Sequence, residues 1–437
     1  MPVRNTVDGG GFMSQLQVLS RPLSTTAATR FEWGGGGKAL AACTVGLALG
    51  YSVVGMATFS VFVAPLQRAF GWGRGDISIA YSIMCYVMAC VSPFAGIAFD
   101  RWGVRRVLLP AIVALGVVFA SLSLLSGSLA WYYAVYALIA IVGAGTAPHG
   151  YMRTLALWFE RNRGLAFGIA LSGVGIGTAV IPVPVQFMND RYGWRAGYLV
   201  VAALVLLVSL PVIWRMLREP AAVTRSADPS LAAASATGLM PAEAMRTRAF
   251  WQMIVAFPLL GIFTSGLLAH LVPLLRDHGM ASELAASGLS MLGIALIFGR
   301  VLTGWLLDRL FAPRLVAGCI GLALVGVAIL WAGATGITAF VAIALLGLAI
   351  GAELDFMSYL ISRYQGLRAY ARIYGLMYGA FIVGSGLGPL LMGFGHQALG
   401  SYDAALVGMM VVLAITLPLF LTLKRYPKFV AAEAGRN

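Results

Sequence analysis

The chain has 437 residues, 60% of them hydrophobic and 11% charged, with a mean hydropathy of +0.88. A water-soluble domain needs more charge than this to cover its surface, so a soluble enzyme or binding module is excluded. Lys and Arg number 30 against 16 Asp and Glu, a formal net charge of +14. The basic residues are scattered through short connectors, as in the inside loops of a membrane protein, and do not form a nucleic-acid surface.

Residues Met1 to Gly37 are rich in Ser, Thr and Gly and show no n-region, h-region and cleavage site, so they read as a flexible cytosolic tail (residues 1–37). Apolar runs of about 20 residues, the length that spans hydrocarbon as a helix, then recur twelve times. The first six are predicted at Lys38–Leu66, Asp76–Phe99, Val107–Ser126, Leu129–Met152, Gly164–Asn189 and Arg195–Trp214. A stretch rich in Ala, Ser and Pro follows and reads as a solvated cytosolic linker, residues 215–249. The second six are predicted at Phe250–Leu275, Leu284–Leu307, Arg314–Ala334, Ile337–Ile361, Ala371–Gly395 and Tyr402–Leu423, ahead of a short cytosolic tail, residues 426–437. The runs do not alternate apolar and polar residues, which excludes an outer-membrane barrel. The expected fold is therefore an all-α membrane protein with six-helix bundles at 38–214 and 250–425.

The two halves repeat one another. Pro65, Leu66, Arg68 and Gly71, then Gly96, Asp100 and Arg101, recur at the same spacing as Pro273, Leu274, Arg276 and Gly279, then Gly304, Asp308 and Arg309. Gly168, Gly177 and Gly193 recur as Gly375, Gly384 and Gly400. A duplicated bundle places its working site between the copies, near mid-bilayer. Glycines crowd the fifth and eleventh spans, where small residues let helix backbones approach closely, within a half or across to the other. Arginines gather on one set of connectors, which puts both termini and the linker in the cytosol of an inner-membrane protein.

The motif formed by Gly96, Asp100, Arg101, Gly103, Arg105 and Arg106 resembles the signature loop of the major facilitator superfamily, and Gly304, Asp308 and Arg309 echo it where that family's second copy belongs. The resemblance implies twelve helices in two pseudo-symmetric bundles and a cytosolic gate built on these residues. Asp100 pairing with neighbouring arginines would latch the halves on one side; the plainer alternative is a helix-end stop with snorkelling arginines. Phe70 to Arg74, Trp158 to Gly168, Phe298 to Gly304, Gly351 to Asp355 and Ser362 to Gly366 resemble the monocarboxylate transporters and oxalate–formate exchangers. The vertebrate carriers have a lysine in the first helix, at a place near Ala57 here, and an aspartate where Leu296 stands, so proton coupling through those two groups does not carry over.

Three charged residues lie well inside apolar runs: Arg300, Glu353 and Asp355. An ionised group there costs roughly 3 kcal/mol or more unless it meets water or a partner, which makes these the leading functional candidates. Arg300 is expected to bind a carboxylate through its planar fork, and the resemblance places the family's substrate arginine here. The alternative is a structural ion pair with Glu353 or Asp355. Those two residues, two apart on a helix, point about 200° from each other, so only one faces the path. Burial favours the neutral form of a carboxyl, which suits proton coupling, and Glu353, the deeper of the two, is the first choice. The family's geometry sets the fourth helix opposite the tenth, which brings in His149 and Tyr151 as substrate contacts; Tyr374 and Tyr378, one turn apart, complete the candidates. Each of these four has a plain packing alternative, as does His270.

The expected activity is secondary transport of a small organic anion, a mono- or dicarboxylate, coupled to protons or run by exchange with a counter-anion. The runner-up is a drug or metabolite efflux antiporter. No Walker motif, HExxH or nucleophile–base set appears, so the chain does not read as an enzyme, and it needs no cofactor. Its four cysteines lie in apolar runs without a CxxC or Cys/His cluster, so neither metal nor disulfide is expected. The partners are the cargo, protons or a counter-anion and the lipid bilayer; no nucleic acid is expected, and the carrier reads as a monomer.

Overall fold

The computed structural model describes residues 25–220, 237–427 and 429. Among these, twelve helices are long and apolar enough to cross a membrane. They are α1 (Trp33–Phe70), α2 (Gly75–Trp102), α3 (Val104–Leu124), α4 (Leu129–Trp158), α5 (Arg163–Tyr192), α6 (Trp194–Met216), α7 (Arg248–Asp277), α8 (Glu283–Leu307), α9 (Ala312–Trp331), α10 (Gly336–Tyr364), α11 (Tyr370–Ala398) and α12 (Asp403–Leu421). Hydrocarbon offers backbone groups no partner, so each apolar run closes its own hydrogen bonds as a helix. The only extended pairing among the described residues is Gly238 opposite Gly366.

One boundary differs from expectation. Gly34 to Gly37 belong to helix, not to a flexible tail. The absence of side chains lets this stretch pass under Trp158, whose ring a β-carbon at Gly35 would meet at 2.6 Å. Most of the expected tails and the middle of the linker, residues 1–24, 221–236 and 430–437, lie outside the described residues. The linker's described ends are tied down. The Trp158 indole donates to the Arg218 carbonyl at 2.7 Å, and the Leu239 amide donates to the Gln365 carbonyl at 2.8 Å.

Three of the central helices are interrupted. In α1 the winding widens to a π-helix at Ser52–Ala57. In α4 a 3₁₀ turn at Ala144–Thr146 precedes Pro148, which cannot continue a helical hydrogen-bond ladder. In α10 the winding breaks at Gly351 and Ala352, and a new segment begins at Glu353. α4 and α10, equivalent helices of the two halves, are thus broken at matching positions, and each of these two breaks leaves a helix start inside the apolar layer, whereas α7, the counterpart of α1, runs unbroken.

The glycines decide which helices touch. On α5, Gly164 and Gly168 meet Gly304 and Arg300 of the other half, while Gly173 and Gly177 meet Thr44 and Ala48 of α1. On α11, Gly375 and Gly379 meet Ser92 and Ala89 of the other half, while Gly384 and Gly388 meet Pro258 and Ile262 of α7. Each helix therefore spends one end on contact across the halves and the other on contact within its own half. Both cross-half ends lie toward the face that carries the α2–α3 and α8–α9 connectors, called the gate face below.

A β-carbon at Gly384 would overlap the Pro258 carbonyl oxygen, whereas one at Gly318 has nothing within 4 Å. Gly384→Val should lower the melting temperature of the purified protein, at a cost of about 1–3 kcal/mol from overpacking, and Gly318→Ala should not. A thermal unfolding series on the two variants checks this.

Candidate functional site

Two carboxylates close the gate face. Asp100, near the end of α2, accepts hydrogen bonds from the Ala371 and Arg372 amides at the start of α11, at 3.4 and 3.0 Å. Asp308, just after α8, accepts from the Gly164 and Leu165 amides at the start of α5, at 2.7 and 2.9 Å. In both cases a carboxylate of one half caps a helix start of the other, where unpaired amides and the helix dipole favour negative charge. Burial pushes the Asp308 carboxyl above the ordinary range, and its two amide donors pull it back. Close backbone packing permits both caps. A β-carbon at Gly304 would lie 2.6 Å from the Gly164 carbonyl oxygen, and one at Gly96 would collide with the Ala371 carbonyl.

The partners of Asp100 differ from those expected. Arg153 on α4 reaches it at 3.2 Å and Glu219 at 2.6 Å, and Arg372 approaches Asp100 at 3.7 Å. Of the motif's own arginines, Arg105 donates to the Trp214 carbonyl at 2.8 Å within its own half. Arg309 donates to the Trp305 carbonyl and stacks over that ring. Arg101 and Arg106 are exposed, and among the described residues neither bonds across the halves. The reason is rotational: Arg101 follows Asp100 directly and so leaves the helix about 100° away. The chain then turns at Gly103, whose φ of +82° suits glycine, and carries Arg105 and Arg106 onto α3.

Deeper in the bundle, Arg300 is 7% exposed and faces inward. Its Nη1 lies 3.9 Å from Asp355 Oδ2, too long for a hydrogen bond. Its Nε and Nη1 donate to no group among the described residues, and neither Asp355 oxygen accepts a hydrogen bond from another residue. Glu353 turns the other way. Its Oε2 accepts from Thr264 Oγ1 of α7 at 2.9 Å, in a small cavity lined by Leu260, Phe263, Cys319, Phe356 and Leu413, all from its own half. The two carboxyls thus diverge as their spacing requires, but Asp355, not the first-choice Glu353, is the one that faces Arg300.

The remaining candidates separate as well. Tyr374 and Tyr378 follow one another along α11, with ring centres 6.2 Å apart and planes tilted by 31°. Tyr374 receives a long hydrogen bond of 3.5 Å from Ser358, one turn beyond Asp355 on α10. His149, at the start of the inner segment of α4, stands 6.1 Å from the Tyr374 ring and 6.3 Å from the Tyr378 ring. It is fully buried, and neither ring nitrogen has a partner among the described residues. Tyr151 points elsewhere: its ring presses against Gly46 of α1, since two residues along a helix reverse the direction of a side chain. His270 takes the packing role, bonded to the Tyr402 hydroxyl at 2.9 Å and the Pro389 carbonyl at 3.1 Å.

Sequence reasoning passed over Arg372, Glu219, Thr264 and Ser358, and left Arg153 without a role. The repeat held a signal for one of them. Ala371 lies 207 residues after Gly164, the same interval that separates Gly168 from Gly375, so the second capped helix start was implied. The glycine of the first copy is an alanine in the second, which hides the match.

The Major Facilitator Superfamily profile matches residues 45–376. Monocarboxylate transporter 13 of Bos taurus is 28% identical over 80% of this chain and 80% of its own length. Monocarboxylate transporter 11 of Mus musculus is 25% identical over 78% of this chain and 77% of its own. Among solved structures, the E. coli fucose:proton symporter FucP superposes with a TM-score of 0.68 at 16% identity, covering 87% of this chain and 97% of that one, which shows a shared fold.

The capped helix starts make a measurable claim. Asp308→Ala should speed hydrogen exchange at the Gly164 and Leu165 amides, and Asp100→Ala should do the same at Ala371 and Arg372. Exchange followed by mass spectrometry on the two variants would reveal it, with peptides from α9 and α12 unchanged.

Proposed function

The chain belongs to the major facilitator superfamily, and we propose that it carries a small organic carboxylate across the inner membrane by alternating access, in company with a proton. The observation that carries this reading is the Arg300 guanidinium, held inside the bundle with two nitrogens unengaged among the described residues and a carboxylate just out of hydrogen-bond reach. A buried cation so placed favours a further anion beside it, because the apolar surroundings do not satisfy its free donors. The guanidinium fork matches a carboxylate's two oxygens. The similarity to monocarboxylate transporters favours the same cargo class.

Coupling follows from competition for one cation. While Asp355 is ionised it holds part of the Arg300 charge, and a cargo carboxylate would add a second anion to a site with one positive group. When Asp355 takes a proton, the guanidinium is released to the cargo, and the site is again balanced at one positive and one negative charge. The pair then crosses as anion plus proton without net charge. Glu353, turned into its own half and bonded to Thr264, stands outside this exchange.

The gate is the double cap at Asp100 and Asp308. Both caps must break for the halves to part on that face, and both can re-form, as a rocking carrier requires. The gate face is assigned to the cytosol by its arginines, with both termini on the same side. An alkaline phosphatase fused after Asn437 should therefore be inactive, and a green fluorescent protein fused there should glow.

Transport assays in proteoliposomes test the assignment. Arg300→Lys keeps the charge but loses the fork, and uptake of the carboxylates that the parent accepts should fall at least tenfold while the melting temperature holds. Asp355→Asn should uncouple flux from a pH gradient, whereas Glu353→Gln should leave that dependence intact. Unchanged uptake by Arg300→Lys and Arg300→Ala would end the reading.

A further inference from the structure

A column of rings runs past the carboxylate receptor. Tyr370, Tyr374, Tyr378 and Phe381 occupy one stripe of α11, and their ring centres follow one another at 5.9, 6.2 and 6.3 Å. From the other half, His149 faces two of these rings, and Phe99 of α2 meets His149 edge-on at 5.1 Å. The column runs at the boundary between the halves, the surface that separates when such a carrier opens. Its gate-side end abuts the Asp100 cap at Ala371 and Arg372, and its middle, at Tyr374, lies beside the Ser358 turn of α10 that follows Asp355.

Packing alone does not account for this column. An interior built only for stability would fill the boundary with aliphatic groups, which carry no polar atoms to satisfy. Here, among the described residues, the buried His149 keeps two ring nitrogens without a partner, and Arg300 and Asp355 add further unmet groups. Leaving a buried polar group unmet costs free energy, and a cargo that supplies the partner recovers it. An anion whose carboxylate lies on Arg300 would meet the α11 rings at Tyr374, beside the Ser358 turn that follows Asp355, with Tyr378 and His149 next to it. Those rings offer flat faces for stacking and an imidazole for one hydrogen bond.

Resting on the carboxylate reading above, we propose that the cargo is a planar aromatic carboxylate, with Tyr374, Tyr378 and His149 as the residues that select it. Its ring stacks in the α11 column, and a polar substituent on the ring, such as a hydroxyl, pairs with His149. A saturated acid of equal charge and size fills the same volume but cannot stack or lie flat.

The test uses matched acids on the purified full-length protein in detergent, read by thermal shift and confirmed by competition in proteoliposomes. Benzoate and 4-hydroxybenzoate are set against cyclohexanecarboxylate and hexanoate. The aromatic acids should bind about tenfold more tightly than their saturated counterparts, as stacking on two rings allows. Tyr378→Leu should reduce that ratio severalfold, and His149→Phe should cost 4-hydroxybenzoate its advantage over benzoate. Tyr378→Phe, which keeps the ring, should retain the preference if the fold is intact. Equal binding of benzoate and cyclohexanecarboxylate by the parent would overturn the aromatic assignment and leave the carboxylate reading standing. Failure of every carboxylate to bind would overturn both.

Discussion

A cation placed inside hydrocarbon must be answered, and the centre of this bundle is organised around that demand. Arg300 has an acidic neighbour in Asp355, but the gap of 3.9 Å leaves both groups short of a hydrogen bond. A tighter pair would be an inert structural salt bridge, since breaking it would leave charge uncompensated. A wider one would leave the charge unanswered. On the proposed carrier reading, the intermediate spacing is what would let the pair respond to a third partner, be it a proton on the aspartate or an anion at the guanidinium.

The gate follows a different electrostatic rule. Asp100 and Asp308 do not depend on an opposite side-chain charge for their cross-half bonds; each accepts from two backbone amides at a helix start. Backbone amides keep their donors at any pH and cannot swing away as a long side chain does. The pairwise symmetry matters too. Each half supplies one carboxylate and one helix start, so the two sides of the boundary close by the same means. The glycines make this possible, because Gly96 and Gly304 let the backbones meet closely enough for a short aspartate to reach across.

Helix breaks connect the gate to the centre. In α4 and α10 the winding is interrupted at the same level, and the inner segments begin with His149 and with Glu353 and Asp355 in their first turns. Helix starts carry a partial positive charge and unpaired amides, which favours anions nearby. The same inner segment of α4 carries Arg153, which reaches Asp100 at the gate. A rigid piece of helix thus joins the ring-lined centre to the latch, and rotation of that piece would be felt at both places.

The sequence by itself determined the twelve helices, their duplication, the family and the three intramembrane charges. Those properties follow from apolar run length, from spacing repeated at a fixed interval, and from the cost of charge in oil, all local or additive along the chain. It also fixed that Glu353 and Asp355 diverge, since that is helix rotation alone. Tertiary structure decided which of them meets Arg300, because facing depends on how α10 sits against α7 and α8. It decided likewise that Tyr151 leaves the site while His149 enters it, and that Arg153 and Arg372, not the motif's own arginines, attend Asp100. Contacts of this kind join residues far apart in the chain through close backbone approach, and a linear pattern records the glycines that allow the approach without recording what lies on the other side.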